Sequence, residues 1–123
     1  MTPDFSSTRL SLIDRDIIWV TAHIRGGMEK GMKWWKEGKL LNKKNTFEDY
    51  IATAKFLIEK KYSSKGKIIG MGGSAGGLLM GAVVNRSPEL FLGMIMAVPF
   101  VDSLTTNLDH SLPLTVGEFD EFG

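Results

Sequence analysis

A glycine-rich turn in the middle of the chain limits the folds open to this sequence more than any other feature. The motif Gly72-x-Ser74-x-Gly76 lies between a β-type run, 67–69, and an apolar run of helical character, 78–84. Where a strand turns directly into a helix, neighbouring backbone passes close to the turn, so the residues two before and two after its tip must be very small. The motif predicts a sharp strand-to-helix turn that holds the Ser74 side chain above the edge of a sheet.

Four interpretations of this stretch compete. A phosphate-binding loop requires a lysine directly after the glycines, and this sequence has none there. The dinucleotide-binding fingerprint is met by Gly70, Gly72 and Ala75, but the acid that should end the next strand is absent, and the first one beyond it is Asp102. A purely structural glycine turn stays open. The nucleophile elbow of α/β-hydrolases explains most, because it accounts for Ser74 at the tip as well as for its glycine neighbours.

The elbow interpretation assigns chemistry to two residues. Ser74 is the predicted nucleophile that attacks a carbonyl carbon. The backbone N–H of Ala75 lies at the predicted helix N-terminus and is expected to donate a hydrogen bond to the oxyanion. A serine also needs a base, and in this fold class the acid and the histidine follow the serine in that order. His110 comes only one predicted strand later, and His23 precedes the serine, so neither is expected to be the base.

The periodicity of the rest of the chain predicts an α/β fold with a parallel sheet core and flanking helices. Thr46 is predicted to cap its helix, with Asp49 in the capping-box position. The predicted elements are a helix over 9–16, a buried strand over 17–22, a short helix or ordered loop over 31–38, a helix from 46 to about 61, a strand over 67–71, a helix over 75–85, a strand over 92–98, and a loop with one helical turn at most over 101–123.

Composition and charge exclude further classes of function. The chain has 123 residues, a net charge of +1 and no cysteine, which excludes a disulfide framework and a thiolate metal site. Eleven lysines and four acidic residues lie between Lys30 and Lys67, and we interpret them as a solvated surface rather than a nucleic-acid site. The N-terminus lacks a signal-peptide pattern and no apolar run is long enough to span a membrane, so a cytoplasmic protein is expected. We expect no metal and no cofactor.

Several motifs in order resemble the prolyl oligopeptidase family of serine peptidases, and within it the oligopeptidase B branch. Together they cover nearly the whole chain, from about Pro3 to Gly123. The motifs are AHIRGG at 22–27, KKNTFEDY at 43–50, MGGSAGGLLM at 71–80, VPFVD at 98–102 and PLTVGEF at 113–119.

The resemblance implies a catalytic α/β-hydrolase domain that is capped by a β-propeller and cleaves short peptides after arginine or lysine. Ser74 matches the family nucleophile. Glu118 matches the acid that receives the basic side chain, with Asp120 in the same acidic stretch, and a carboxylate pair can bind a guanidinium group by charge-assisted hydrogen bonds. Arg25 resembles a family arginine beside the active site, where it either contacts substrate or fixes the loop.

The resemblance also implies that parts of the enzyme lie outside this chain. A complete α/β-hydrolase needs roughly 200 residues or more, beyond the commonest domain size. Residues 1–123 are therefore expected to be the central part of a catalytic domain, truncated at both ends. The propeller, the triad aspartate and histidine, and an upstream oxyanion tyrosine are expected to be absent from the chain, so it should have little activity alone. Its expected partners are short peptides and the missing flanking segments. The alternatives are a non-catalytic remnant or complementing piece of a split gene, and a dinucleotide-binding module.

Overall fold

Two parallel strands form the centre of the computed structural model, which describes residues 5–113 and 115–122. Strand β1 is Ile68–Gly73 and strand β2 is Phe91–Ala97, and they pair in parallel along their length. Helix α4, Ala75–Arg86, connects them, since parallel strands require a long crossover. The predicted α/β class, with a parallel sheet core and flanking helices, is confirmed.

The core lies between this crossover helix, the sheet and a second long helix. Helix α3, Lys44–Glu59, packs against α4. Met80 and Val83 of α4 are completely buried, and burial of such side chains stabilises a fold by about 1.5–3 kcal/mol each. The buried apolar side chains of the core are Ile51, Ala54, Leu79, Met80, Val83, Leu90 and Phe91.

Shorter helices surround this centre. Two of them, α5 at Ser103–Leu108 and α6 at Thr115–Phe122, lie in the stretch 101–123, which was predicted to be loop with one helical turn at most, so that prediction was wrong. Asp102 caps α5, because its carboxylate accepts a hydrogen bond of 3.1 Å from the Thr105 N–H. The remaining elements are α1 at Ser7–Ile13, α2 at Met32–Lys36, α5 at Ser103–Leu108, α6 at Thr115–Phe122, and 3₁₀ turns at Leu40–Asn42 and Pro88–Leu90.

The predicted strand over 17–22 is not formed. This run has no regular secondary structure and no β-ladder, and Ile17, Ile18 and Val20 are 47%, 59% and 45% exposed. A β-branched run becomes a strand only when a neighbouring strand accepts and donates its backbone hydrogen bonds. In the described part of the chain the sheet consists of β1 and β2 alone, and neither pairs with this run.

The predicted cap at Thr46 is also wrong. Helix α3 begins two residues earlier, at Lys44, directly after a 3₁₀ turn. The buried Thr46 hydroxyl donates instead to the backbone carbonyls of Arg25, at 2.8 Å, and Gly38, at 3.2 Å. Asp49 binds Arg25 and does not complete a capping box. Acceptors brought close by the tertiary fold therefore outweighed the local capping preference.

The two faces of the sheet differ in coverage. Gly70 and Met94 lie on the face that packs against Met80 of α4. On the opposite face Ile69, Met71 and Ile95 are 55%, 56% and 52% exposed. Parallel sheets normally have both faces covered. The described residues therefore cover one face of this sheet and leave the other open.

Candidate active site

Ser74 occupies a strained turn between β1 and α4. Its backbone has φ 53° and ψ −118°, an unusual conformation for a residue with a side chain, and such strain costs about 1–3 kcal/mol. The Ser74 N–H donates to the Ala97 carbonyl at 2.9 Å, and the Phe100 N–H donates to the Ser74 carbonyl at 3.0 Å. The last residue of β2 and the chain just after it therefore hold the backbone of the turn, and the serine side chain is exposed.

Close backbone packing explains one of the two glycines that flank the serine. A Cβ atom on Gly72 would lie 2.2 Å from the Gly76 carbonyl oxygen, a distance that real atoms do not reach. A Cβ on Gly76 would meet nothing within 4 Å among the described residues. The next glycine, Gly77, is crowded as well, since its Cβ would lie 2.5 Å from the Pro99 Cα. The predicted size restriction is therefore confirmed at Gly72, before the serine. After the serine it applies to Gly77 instead of Gly76.

The Ala75 N–H opens helix α4. No described group accepts a hydrogen bond from it, as is usual for the first amides of a helix. The amide also lies at the positive end of the helix dipole, which favours negative charge. A donor at this place suits an oxyanion, and the role of Ala75 stays a prediction.

Neither histidine is hydrogen-bonded to the nucleophile candidate. His23 Nδ1 lies 3.4 Å from the Glu29 carboxylate within its own loop. The His110 ring packs edge-on against Phe119, with centroids 5.6 Å apart. Among the described residues, no side chain forms a hydrogen bond with the Ser74 hydroxyl. The described site therefore holds a serine without a base.

Arg25, a predicted substrate-binding residue, is bound to helix α3. Its Nε donates to Asp49 Oδ2 at 2.8 Å, and its Nη2 donates to Oδ1 at 2.5 Å. The Arg25 N–H adds a third bond of 2.9 Å to the same carboxylate. These hydrogen bonds raise the pKa of Arg25 and hold the pKa of Asp49 below its usual range. The pair anchors the loop after residue 24 to α3, and a contact of Arg25 with substrate stays a prediction.

The predicted acidic site lies on helix α6, which sequence reasoning missed. Glu118 and Asp120 are two positions apart, so their side chains leave the helix about 200° apart and do not face each other. Neither forms an ion pair with a described residue, whereas Glu121 of the same helix pairs with Lys43. Thr115 three residues before Glu118 is a capping-type spacing that could have predicted this helix. The assignment of Glu118 and Asp120 to substrate stays a prediction.

Aromatic contacts connect α6 to the serine turn. The Phe122 ring packs edge-on against Phe100, with centroids 5.4 Å apart, and Phe100 is the residue whose N–H binds the Ser74 carbonyl. A cavity of about 550 Å³ lies between α5 and α6, with Phe119 and Phe122 among its lining residues. Asn107 also lines it and is 6% exposed, with an Oδ1 that has no hydrogen-bond partner among the described residues. The acidic helix is therefore packed toward the turn that carries Ser74.

Other kinds of site are not supported by the described part of the chain. No three His, Asp or Glu side chains in it are arranged to hold a metal ion. None of its helices combines the length and the apolar character that a membrane crossing requires. Residues 1–4, which bear on the absence of a signal peptide, lie outside the described residues. Asp102, the acid considered for a dinucleotide site, is engaged as the cap of α5.

A serine at a strained turn between a parallel strand and a helix defines an α/β-hydrolase type of site, here with part of the fold. Residues 3–123 match the model of the prolyl oligopeptidase family, and the chain belongs to that family. The resemblance predicted from the motifs is confirmed.

Three relatives illustrate the match. Dipeptidyl aminopeptidase BI of Pseudoxanthomonas mexicana is 51% identical over 123 residues, which are 100% of this chain and 17% of that protein. Protease 2 of Moraxella lacunata is 54% identical over 121 residues, which are 98% of this chain and 18% of that protein. The structure of oligopeptidase B from Leishmania major has a TM-score of 0.93 at 50% identity and covers 100% of this chain and 17% of that one. The chain thus spans 17–18% of the length of these relatives.

Proposed function

We propose that this chain is the nucleophile-bearing part of the catalytic domain of a serine oligopeptidase, and that the complete enzyme hydrolyses short peptides after arginine or lysine. The observation that carries the proposal is the Ser74 turn. Its φ of 53°, the close approach of Gly72 to Gly76 and the available Ala75 N–H together provide a nucleophile position and an oxyanion donor. Membership of the prolyl oligopeptidase family supports the same chemistry.

In the proposed reaction, the Ser74 hydroxyl oxygen attacks the carbonyl carbon of the scissile peptide bond. A base removes the serine proton and returns a proton to the leaving amine, and water then releases the acyl group from Ser74. The Ala75 N–H stabilises the oxyanion. Since neither described histidine contacts Ser74, we propose that the histidine base and its aspartate come from segments outside these 123 residues. The isolated chain is then expected to be nearly inactive, because a triad serine without its base loses most of its rate.

The specificity rests on the acidic residues of α6. Glu118 and Asp120 have no ion pair with a described residue, so both carboxylates can accept a cationic side chain. The relatives carry names of different activities, a dipeptidyl aminopeptidase and a protease, and oligopeptidase B is among the matched structures. We assign this chain to the arginine- and lysine-specific branch on the basis of Glu118, with Asp120 as a second carboxylate on a different face of the helix.

A second candidate function is that of a complementing piece of a split peptidase. The exposed Ile69, Met71 and Ile95 on the open sheet face favour it, as do the unpaired residues 17–22. Exposed apolar side chains of this kind mark surfaces that another chain covers. The catalytic chemistry is the same in both cases, and the two differ in whether the remaining segments are covalently attached.

A chimera tests the catalytic proposal. Protease 2 of Moraxella lacunata is prepared with its matching segment replaced by this chain, and hydrolysis of an arginyl p-nitroanilide is measured. We expect activity that falls by about 10³-fold or more in Ser74→Ala. A chimera that folds yet is no more active than its Ser74→Ala variant would contradict the proposal. Mixing this chain with the separately expressed remainder of Protease 2 tests the second candidate, which requires that activity return on mixing.

A further inference from the structure

Lys43 is a largely buried lysine that the proposed chemistry does not use. Its side chain is 17% exposed, although lysine is seldom buried without a partner. Its Nζ pairs with the carboxylate of Glu121, which lies 78 residues further along the chain. The same ammonium group lies 4.5 Å from the centroid of the Phe122 ring, within cation–π distance. One side chain therefore makes two contacts with α6.

These contacts join α6 to Lys43, and a further contact joins it to Phe100 beside the serine turn. Phe122 lies between Lys43 and Phe100, and the Phe100 N–H donates to the Ser74 carbonyl. The connection from Lys43 to the nucleophile therefore runs through two side-chain contacts and one backbone hydrogen bond. Helix α6 has eight residues, and helices shorter than about 12 residues are marginal in water without tertiary contacts. Its position thus depends on anchors such as Lys43.

The ion pair also divides the acidic residues of α6 into two groups. Lys43 takes up Glu121, while Glu118 and Asp120 form no ion pair with any described residue. A carboxylate that is paired within the protein can hold the helix in place, and an unpaired carboxylate can receive a cationic ligand. The structure places the holding function on Glu121.

We propose that Lys43 is a positioning residue for substrate specificity, which anchors α6 through Glu121 and Phe122 and so fixes Glu118 relative to Ser74. This inference rests on the proposed function, since it takes α6 to be the site of the basic substrate side chain. Loss of the anchor frees the helix, and a ligand must then restore its order at a cost in binding free energy.

Binding of p-aminobenzamidine to the 123-residue chain tests the proposal without requiring catalysis. The fluorescence of this cationic probe rises when its ring leaves water, and neutral p-aminobenzamide serves as the control ligand. We expect Lys43→Met to weaken binding of the cation roughly fivefold or more, a typical size for coupling between sites. Lys43→Arg, which retains the charge, should restore binding to within about twofold. Lys44→Met is the matched control, because Lys44 is an exposed neighbour, and it should bind like the unchanged chain.

Two further variants distinguish the effect of the position of α6 from the effect of the Lys43 charge on binding. Glu121→Gln removes the ion pair from the side of α6 and should also weaken binding, and it replaces Lys43→Met if that variant does not fold. The double variant Lys43→Met/Glu121→Gln removes both charges and should bind no better than Lys43→Met. Full affinity in the double variant would overturn the inference, since the anchor would then be unnecessary.

The outcomes distinguish this inference from the proposed function. If the unchanged chain does not bind p-aminobenzamidine in preference to p-aminobenzamide, the proposed acidic site fails and this inference fails with it. If the chain binds the cation and Glu118→Gln abolishes binding, but Lys43→Met binds like Lys44→Met, the acidic site stands and the role of Lys43 is overturned.

Discussion

Two apolar β-type stretches of this chain differ in structure: one forms a strand and the other does not. The stretch that leads to Ser74 forms strand β1, and its partner β2 and helix α4 lie within the next 30 residues or so, a short-range arrangement. The run 17–22 has a similar composition but no strand beside it among the described residues, and it stays exposed. The serine turn is therefore held by elements that are close to it in sequence, whereas no described residue supplies a strand partner for the run 17–22.

The largest effect is expected at the serine turn itself. In Gly72→Ala the new Cβ meets the Gly76 carbonyl, which is backbone and cannot move aside, so we expect a loss of about 3 kcal/mol in the free energy of unfolding. Gly76→Ala is the matched control. Its Cβ meets open space, and alanine in a helix should stabilise by about 0.5–1 kcal/mol. Urea unfolding of the chain measures both, and equal effects at the two glycines would show that the turn is not closely packed.

The ion pair of Arg25 and Asp49, which anchors the loop after residue 24 to α3, is expected to make a similar contribution to the free energy of unfolding. In Asp49→Asn the guanidinium of Arg25 loses its charged partner at a site where both side chains are mostly buried, which should cost about 3 kcal/mol. The exposed pair of Glu48 and Arg86 provides the control, and Glu48→Gln should cost less than about 1 kcal/mol. A small effect of Asp49→Asn in urea unfolding would remove the anchoring role assigned to the pair.

The same carboxylate predicts a pH dependence. The pKa of Asp49 is lowered in the folded chain by its hydrogen bonds with Arg25. Its contribution to stability is therefore complete above the pKa of an unfolded aspartate, about 3.9, and is lost as the pH falls through the lower folded value. Unfolding free energies measured from pH 6 downward should decrease more steeply in the unchanged chain than in Asp49→Asn. Parallel curves for the two proteins would contradict this assignment.

The smallest effect on the chain is expected in the run 17–22. Ile18 is 59% exposed, so Ile18→Ser should change the unfolding free energy by no more than about 0.5 kcal/mol. The same substitution in the Protease 2 chimera should cost about 2 kcal/mol or more, if the added chain buries this side chain. Thermal unfolding of both proteins measures the difference. Equal, small effects in both would mean that the run is a surface loop in the complete enzyme as well.

Sequence reasoning was most successful where structure is decided within a few residues. The glycine spacing around Ser74 and the apolar runs beside it predicted β1, α4 and β2 nearly to their ends. It failed at Thr46, whose hydroxyl is bound by carbonyls about 20 and 8 residues away, because such acceptors are visible only in the folded chain. It also missed α6, whose Glu121 and Phe122 contact Lys43, a residue far away in sequence.

The candidate site divides in the same way. The nucleophile and its oxyanion amide are adjacent in sequence and follow from one motif, so the motif alone is enough to name both. The sequence identified Glu118 and Asp120 as candidate residues but did not predict their relative orientation. That orientation depends on whether the segment is a loop or a helix, and in a helix residues two positions apart do not face each other. The engagement of Arg25 by Asp49 had no sequence signal at all, since 24 residues separate them.

Covalent labelling of the chimera tests directly whether Ser74 is the nucleophile. A fluorophosphonate forms a stable ester only with a serine that a base activates. We expect the Protease 2 chimera to take up one label, which peptide mapping by mass spectrometry should place on Ser74. Both the Ser74→Ala chimera and the isolated chain should stay unlabelled. A folded, active chimera with its label on another residue would contradict the assignment of Ser74 as the nucleophile.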